Sequence, residues 1–195
     1  KSIITNRSLK ANALIGFYAA QSNGDDIELF ESDERNQSLA IFHSLRQQSD
    51  KKSNKVNFAL SDYIAPQSSG VKDYLGLFIV TAGIGLDKLV ESFEKQHDDY
   101  SSILSKAIAD RLAEAFAELM HEKVRKEFWG YAESENLTNE RLIREDYQGI
   151  RPAPGYPACP EHSDKSLILE LLDPNNRTGI TLTESFAMIP AASVC

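Results

Sequence analysis

The chain has 195 residues, 42% of them hydrophobic and 26% charged, with a formal net charge of −8. That is the composition of a soluble globular protein, long enough to bury a core as one large domain or two small ones. The acidic balance argues against a nucleic-acid backbone as partner, and no apolar run approaches the roughly 18 residues of a membrane span.

Lys1 to Arg7 lack the apolar core of a signal peptide and read as the edge of a cut domain. Residues 13–20 read as a strand and 26–30 alternate like a half-buried one. The turn residues of 21–25 make the pair a hairpin. Apolar spacing over 38–46 suits a helix, and 47–55 is a polar loop. A short strand over 58–60 ends at Ser61-Asp62, ahead of a turn at 66–70. Residues 74–81, apolar on both faces, predict a central strand.

From Asp87 the period becomes helical. A helix near 87–95 precedes Asp98 and Asp99, natural N-caps for a long helix over about 100–128. Its predicted buried stripe is Leu104, Ile108, Leu112, Ala115 and Leu119, widened by Ala109, Phe116 and Met120. Thr138 caps a helix near 140–147, 164–172 is helical, and 180–184 and 185–188 read as strands ended by Pro190. Hairpins with helices clustered in the middle predict an α+β single domain around a twisted, mostly antiparallel sheet. Gly83 and Gly85 follow a strand without a third glycine, so a dinucleotide fold has little support.

Chemistry concentrates in Arg151-Pro-Ala-Pro-Gly-Tyr-Pro-Ala-Cys-Pro160. Pro152, Pro154, Pro157 and Pro160, four of the seven prolines, fix φ and withhold donors. A stiff extended loop with free carbonyls, an arginine and an aromatic ring suits a ligand with a carboxylate, a positive centre and a flat ring. A proline-rich connector is the plainer alternative. Arg151 offers a planar fork for a carboxylate, although a lone arginine is more often a surface charge. Asp62, where a strand gives way to a loop, is a candidate binding carboxylate or simply a turn former. Glu114 belongs to the acidic row Asp110, Glu114, Glu118 and Glu122, flanked by Arg111 and Arg125, and a solvated helix face accounts for that row as well. His43, His97, His121 and His162 are scattered and show no metal-ligand spacing. Cys159 and Cys195 make no disulfide framework, which fits a reducing cytosol, and nothing near Cys159 marks it as a nucleophile.

Several strings recur together: Ser61-Asp-Tyr-Ile-Ala-Pro66, Gln96-His-Asp-Asp-Tyr100, Asp110-Arg-Leu-Ala-Glu-Ala-Phe-Ala117, Phe128-Trp-Gly-Tyr131, Tyr147 to His162, and Thr183-Glu-Ser-Phe-Ala-Met188. With these the chain resembles, over almost its whole length, the C-terminal activation domain of cobalamin-dependent methionine synthase. The resemblance implies an S-adenosylmethionine site in a groove beside the sheet. It assigns Arg151 to the methionine carboxylate, Asp62 to the ligand amino group and the backbone of Ala153, Gly155 and Tyr156 to the length of the ligand. Glu114 stands in or near the site.

The implied role is reactivation. The cobalamin, carried by a neighbouring cobalamin-binding domain, is rescued from its Co(II) form by an electron from flavodoxin or a flavoprotein reductase. S-adenosylmethionine supplies the methyl group. Cobalt is the nucleophile in that chemistry, so no proton-transfer residue is expected, and the domain alone should turn nothing over. The resemblance also implies a cytoplasmic enzyme and one domain over 1–195, lacking C-terminal strands that carry a further aromatic contact in the family. A docking module for the cobalamin domain and reductase, without competent donor binding, is the alternative.

Overall fold

The computed structural model describes residues 2–51, 56–173 and 177–195. After a short α1 (Ser2–Asn6), β1 (Lys10–Asn23) turns at Gly24 into β2 (Asp26–Phe30), the hairpin that the turn residues predicted. β3 (Ser38–His43) then lies antiparallel on β2, Phe42 facing Ile27. This corrects the helix expected over 38–46. The open edge of β2 supplies a ladder partner, and sheet context overrides a weak helical spacing. The polar loop is coil through residue 51, and 52–55 lie outside the described residues.

No strand forms over 58–60. A 3-10 turn, Leu60–Tyr63, occupies this place because the Asp62 carboxylate accepts the Ala59 N–H at 3.0 Å. A second turn, Gln67–Ser69, leads to β4 (Asp73–Ile84). With β7 (Ser193–Val194) the sheet order is β3-β2-β1-β4-β7, all neighbours antiparallel. β1, not β4, is therefore central. The outer partner of β4, β7, pairs only with Thr81 and Val80, so β4 from Tyr74 to Phe78 has an open outer edge among the described residues.

β4 is apolar on both faces because both are covered. Leu77 and Ile79 join Ile27, Leu29 and Phe42 under Ile168, Leu169 and Leu172 of α5 (Asp164–Leu172). Val80 and Ala82 face the opposite way, toward α2 (Leu86–Glu94) and α3 (Asp99–Lys123). Asp98 caps α3, accepting the Ser101 N–H at 3.0 Å. The face α3 buries is Ser102, Ser105, Ala109, Ala113, Ala117 and Met120, whereas Leu104, Leu112 and Leu119 stay exposed. Ala109 and Met120 of the predicted stripe are buried, but its leucines are not: small side chains let the helix lie close to the sheet, and exposed leucines are common on protein surfaces.

Past Lys123 the helix widens into one π turn, Val124–Phe128, in which the Trp129 N–H reaches the Val124 carbonyl at 2.9 Å. α4 is short (Asn139–Ile143) and ends before Glu145, whose φ is 58°. A two-stranded sheet joins β5 (Thr181–Leu182) to β6 (Met188–Ile189). The strands expected over 180–188 are clipped because Thr183 closes a turn, its Oγ1 accepting the Ala187 N–H at 3.0 Å. No helix among the described residues is long and apolar enough to cross a membrane.

Candidate functional site

The open edge of β4 borders a cavity of about 510 Å³, into which residues from both faces of the strand project. Phe17 and Gly76, paired across β1 and β4, form one wall. A Cβ on Gly76 would stand 3.2 Å from the Trp129 ring, so glycine makes room for the indole. Trp129 meets Phe17 edge-on at 5.3 Å and Tyr131 at 5.6 Å, giving an aromatic side to the cavity. The π turn delivers this Trp129–Tyr131 segment, redirecting the chain where a straight helix would run past the sheet edge.

Gln148 to Pro152 and Pro154 close the cavity on the other side. Gly149 holds φ at 93°, and a Cβ there would meet the Tyr131 hydroxyl at 2.8 Å, so the two segments interlock. Arg151 lines the cavity, its Nη2 donating to Oε2 of Glu118 at 3.0 Å. The Arg151 side chain is 21% exposed, which sets it apart from a freely solvated surface charge. Beyond Pro152 the loop is not extended. Tyr156 N–H donates to the Ala153 carbonyl, Cys159 N–H to Tyr156, and Gly155 N–H to Cys159, at 3.0, 2.9 and 2.8 Å. Several carbonyls expected to be free are thus spent on a compact double turn. Gly155 has φ 103°, and a Cβ there would strike the His162 ring; Tyr156 is exposed.

Beneath Arg151 lies a buried polar cluster. Arg125 is fully buried and donates Nη2 to Oε1 of Glu135 at 2.6 Å and Nε to Oε2 at 3.0 Å. Its Nη1 donates to Nδ1 of His121 at 2.8 Å, and its guanidinium stacks 4.4 Å from the centre of the Tyr147 ring. Burial, then the charges of Arg125 and Arg151, push the His121 pKa down to about 3. His121 lines the cavity as a neutral ring.

The remaining sequence candidates stand elsewhere. Leu60 and Tyr63 line the cavity, but Asp62 between them does not. Its carboxylate is held by Arg46, Nη1 at 2.6 Å and Nη2 at 2.9 Å, and Arg46 also grips Asp25 at 2.5 Å. The Arg46 hydrogen bonds and the Ala59 N–H hold Asp62 below the ordinary carboxylate range. Glu114 is exposed one turn before Glu118, and Ala153, Gly155 and Tyr156 sit on the turn beside Pro154 rather than in the cavity wall. The acid brought to Arg151 is Glu118, which the sequence reading left in a solvated row. Arg125, which flanks that acidic row in the sequence, is the most deeply buried cation described. Its signal was the i, i+4 spacing from His121, which places both on one helix face.

No group of three or more metal-capable side chains occurs among the described residues. Residues 1–195 match the family described as vitamin B12 dependent methionine synthase, activation domain. The chain belongs to this family of activation domains. A solved structure described as the MetH reactivation domain bound to AdoHcy is similar at 53% identity, with a TM-score of 0.94 over 99% of this chain. This activation domain spans 59% of the length of that relative's chain. The α+β, largely antiparallel fold of this chain is shared by the matched part of that relative.

Proposed function

We propose that this activation domain binds S-adenosylmethionine in the cavity beside β4 and presents it for reactivating the cobalamin of a methionine synthase. The observation that carries this reading is Arg151, a partly sheltered guanidinium set into the wall of a largely apolar cavity that also carries Asp73, Gln148, His121 and Asp164. A cavity near 500 Å³ with few placed polar groups is the usual form of a small-molecule site. Its relative's binding of AdoHcy supports the same ligand class.

The residues fit that ligand. Arg151 takes the methionine carboxylate as a charge-assisted pair. Phe17, Trp129 and Tyr131 supply apolar and π surface for a flat ring or a cationic centre. The turn from Ala153 to Tyr156 borders the site through Pro154, and in this reading the backbone of Ala153, Gly155 and Tyr156 runs along the ligand. Glu114 stands at the outer end of the same helix face as Glu118. Asp62 steadies the loop that carries Leu60 and Tyr63 rather than touching the ligand.

The bound sulfonium supplies an electrophilic methyl group. The protein's part is to orient it and keep water away, which Arg151 and the aromatic wall do without any proton-transfer residue. The neighbouring cobalamin domain, an electron-donating flavodoxin or flavoprotein reductase, and a cytoplasmic setting complete the proposed context. The domain alone turns nothing over.

Calorimetric titration of this chain with S-adenosylmethionine and S-adenosylhomocysteine tests the reading, with Arg151→Ala alongside. Loss of a charge-assisted pair costs about 1.5–3 kcal/mol, roughly ten- to hundred-fold in affinity. Equal binding by the variant would move the carboxylate elsewhere. No binding by the parent chain would leave a docking role.

A further inference from the structure

Glu118 and Arg151 share one hydrogen bond, Nη2 to Oε2 at 3.0 Å, and both are largely shielded. Two more atoms of this pair, Nε of Arg151 and Oε1 of Glu118, are sealed from water with no hydrogen-bond partner. A guanidinium presents two edges that match a carboxylate, a lateral one made by Nε with Nη2 and a terminal one made by Nη1 with Nη2. The bond runs from Nη2, which belongs to both edges, and the burial of Nε closes the lateral edge to water, so the edge left accessible is the terminal one. Nη1 makes no hydrogen bond among the described residues and is not sealed from water.

The surroundings hold this orientation. His121, neutral and lodged on Arg125, stands beside the pair without competing for the carboxylate of Glu118. The charge of Arg125 is spent on Glu135, on His121 and on the face of Tyr147. Glu118 is left as the one acid bonded to Arg151 among the described residues.

We propose that Glu118 is a positioning residue: it holds the lateral edge of Arg151 so that the terminal edge faces a carboxylate in the cavity. The proposal rests on the ligand reading above. It also has a sign that simple electrostatics does not share. Removing Glu118 leaves Arg151 uncompensated, and charge alone would then bind an anionic carboxylate more tightly. Positioning demands the opposite, because a guanidinium free to turn loses the pre-organised two-bond geometry.

The experiment is titration of S-adenosylhomocysteine into the parent chain and into Glu118→Gln and Glu118→Ala, with thermal melts to verify folding. Glu118→Ala is expected to weaken binding by up to about ten- to hundred-fold, the worth of one charge-assisted bond. Glu118→Gln, which keeps an acceptor for Nη2, should fall between it and the parent. Unchanged or tighter binding by a folded Glu118→Ala overturns the proposal. A second readout needs no ligand: the arginine Nε–H signals, with that of Arg151 assigned by its loss in Arg151→Lys. The Arg151 Nε–H should exchange slowly with water in the parent and rapidly in Glu118→Ala, and equal exchange in both overturns the proposal. A parent chain that binds no S-adenosylhomocysteine yet passes the exchange test sinks the ligand reading and leaves the positioning of Arg151 standing.

Discussion

The guanidinium of Arg125 lies 4.4 Å from the centre of the Tyr147 ring while its Nη1 donates to Nδ1 of His121 at 2.8 Å. Arginine only donates, so Nδ1 of His121 must accept and the imidazole proton resides on Nε2. One buried side chain therefore ties the end of α3 to the segment four residues before Arg151. Glu135, reached after the Gly130 turn, balances its charge. The π turn matters to this arrangement because the extra residue per turn changes which side chains point inward after Lys123.

Arg125→Met should be among the most damaging substitutions outside the hydrophobic core. It leaves Glu135, 9% exposed, as a buried charge without its counter-ion. Breaking one side of such a pair costs about 3–5 kcal/mol, whereas replacing both sides by apolar groups is often far milder. Urea denaturation of Arg125→Met, Glu135→Met and the double variant checks this. The double variant should be more stable than the sum of the single losses implies, and strict additivity would mean that the pair is not coupled.

His121 should stay neutral in the folded protein well below the ordinary histidine range. Its pKa falls to about 3, from burial first and then from the charges of Arg125 and Arg151. The unfolded chain, with a histidine pKa near 6.5, binds more protons between those values. The contribution to stability is therefore complete above about pH 6.5 and is lost as pH falls toward 3. A carbon-detected titration of the His121 ring should show no protonation from pH 8 down to pH 5, with Nε2 as the protonated nitrogen throughout. A midpoint near 6.5 in the folded protein would refute the burial argument.

Local pattern was enough for some elements and not for others. The hairpin, the Asp98 cap and the helix over 164–172 carry their signals in adjacent residues, so these were legible from the sequence. β3 and the buried face of α3 were not, because each depends on a partner distant in sequence. The open edge of β2 turns 38–43 into a strand, and the close sheet selects alanines over leucines. The proline string singled out Arg151, which lines the cavity, since stiff backbone around a lone arginine is a local feature. Glu118, His121 and Arg125 share one helix with solvated acids, and only the return of the chain at Tyr147 and Arg151 sets them apart.

Asp62→Asn separates the turn-forming role from the ligand role that the resemblance assigned to it. Its carboxylate accepts two bonds from Arg46 and one from Ala59 N–H, and it stands off the cavity wall. The pair is about one-third exposed on each side, so its worth is screened and small, about 0.2–1 kcal/mol. We expect a small drop in melting temperature and an S-adenosylhomocysteine affinity within about two-fold of the parent, a change of under half a kcal/mol. A loss matching that of Arg151→Ala would return Asp62 to the binding site. Its folded pKa is lowered, so the stability it contributes is present above the unfolded value and is lost as acid protonates the folded carboxylate.

Cys159 lines the cavity, and its placement decides whether it is a liability or a structural residue. Burial pushes its thiol up to about 12, helped by the neighbouring Asp164 carboxylate, whose Oδ2 lies 3.5 Å from Sγ. Burial also raises Asp164 itself, and Cys195 goes up to about 11 for the same reason. Only the thiolate reacts, so at pH 8 both cysteines should modify far more slowly than a free thiol with a pKa near 8.5. Mixing the folded chain with a disulfide reagent at pH 8 should give a slow phase for both residues, and denaturant should make it fast. A prompt one-residue burst from Cys159 in the folded protein would place a thiolate in the cavity and overturn its reading as a buried, inert side chain. Slow modification that becomes slower still with S-adenosylhomocysteine present would instead locate the ligand over the Pro154–Cys159 turn, because a filled cavity holds that turn shut.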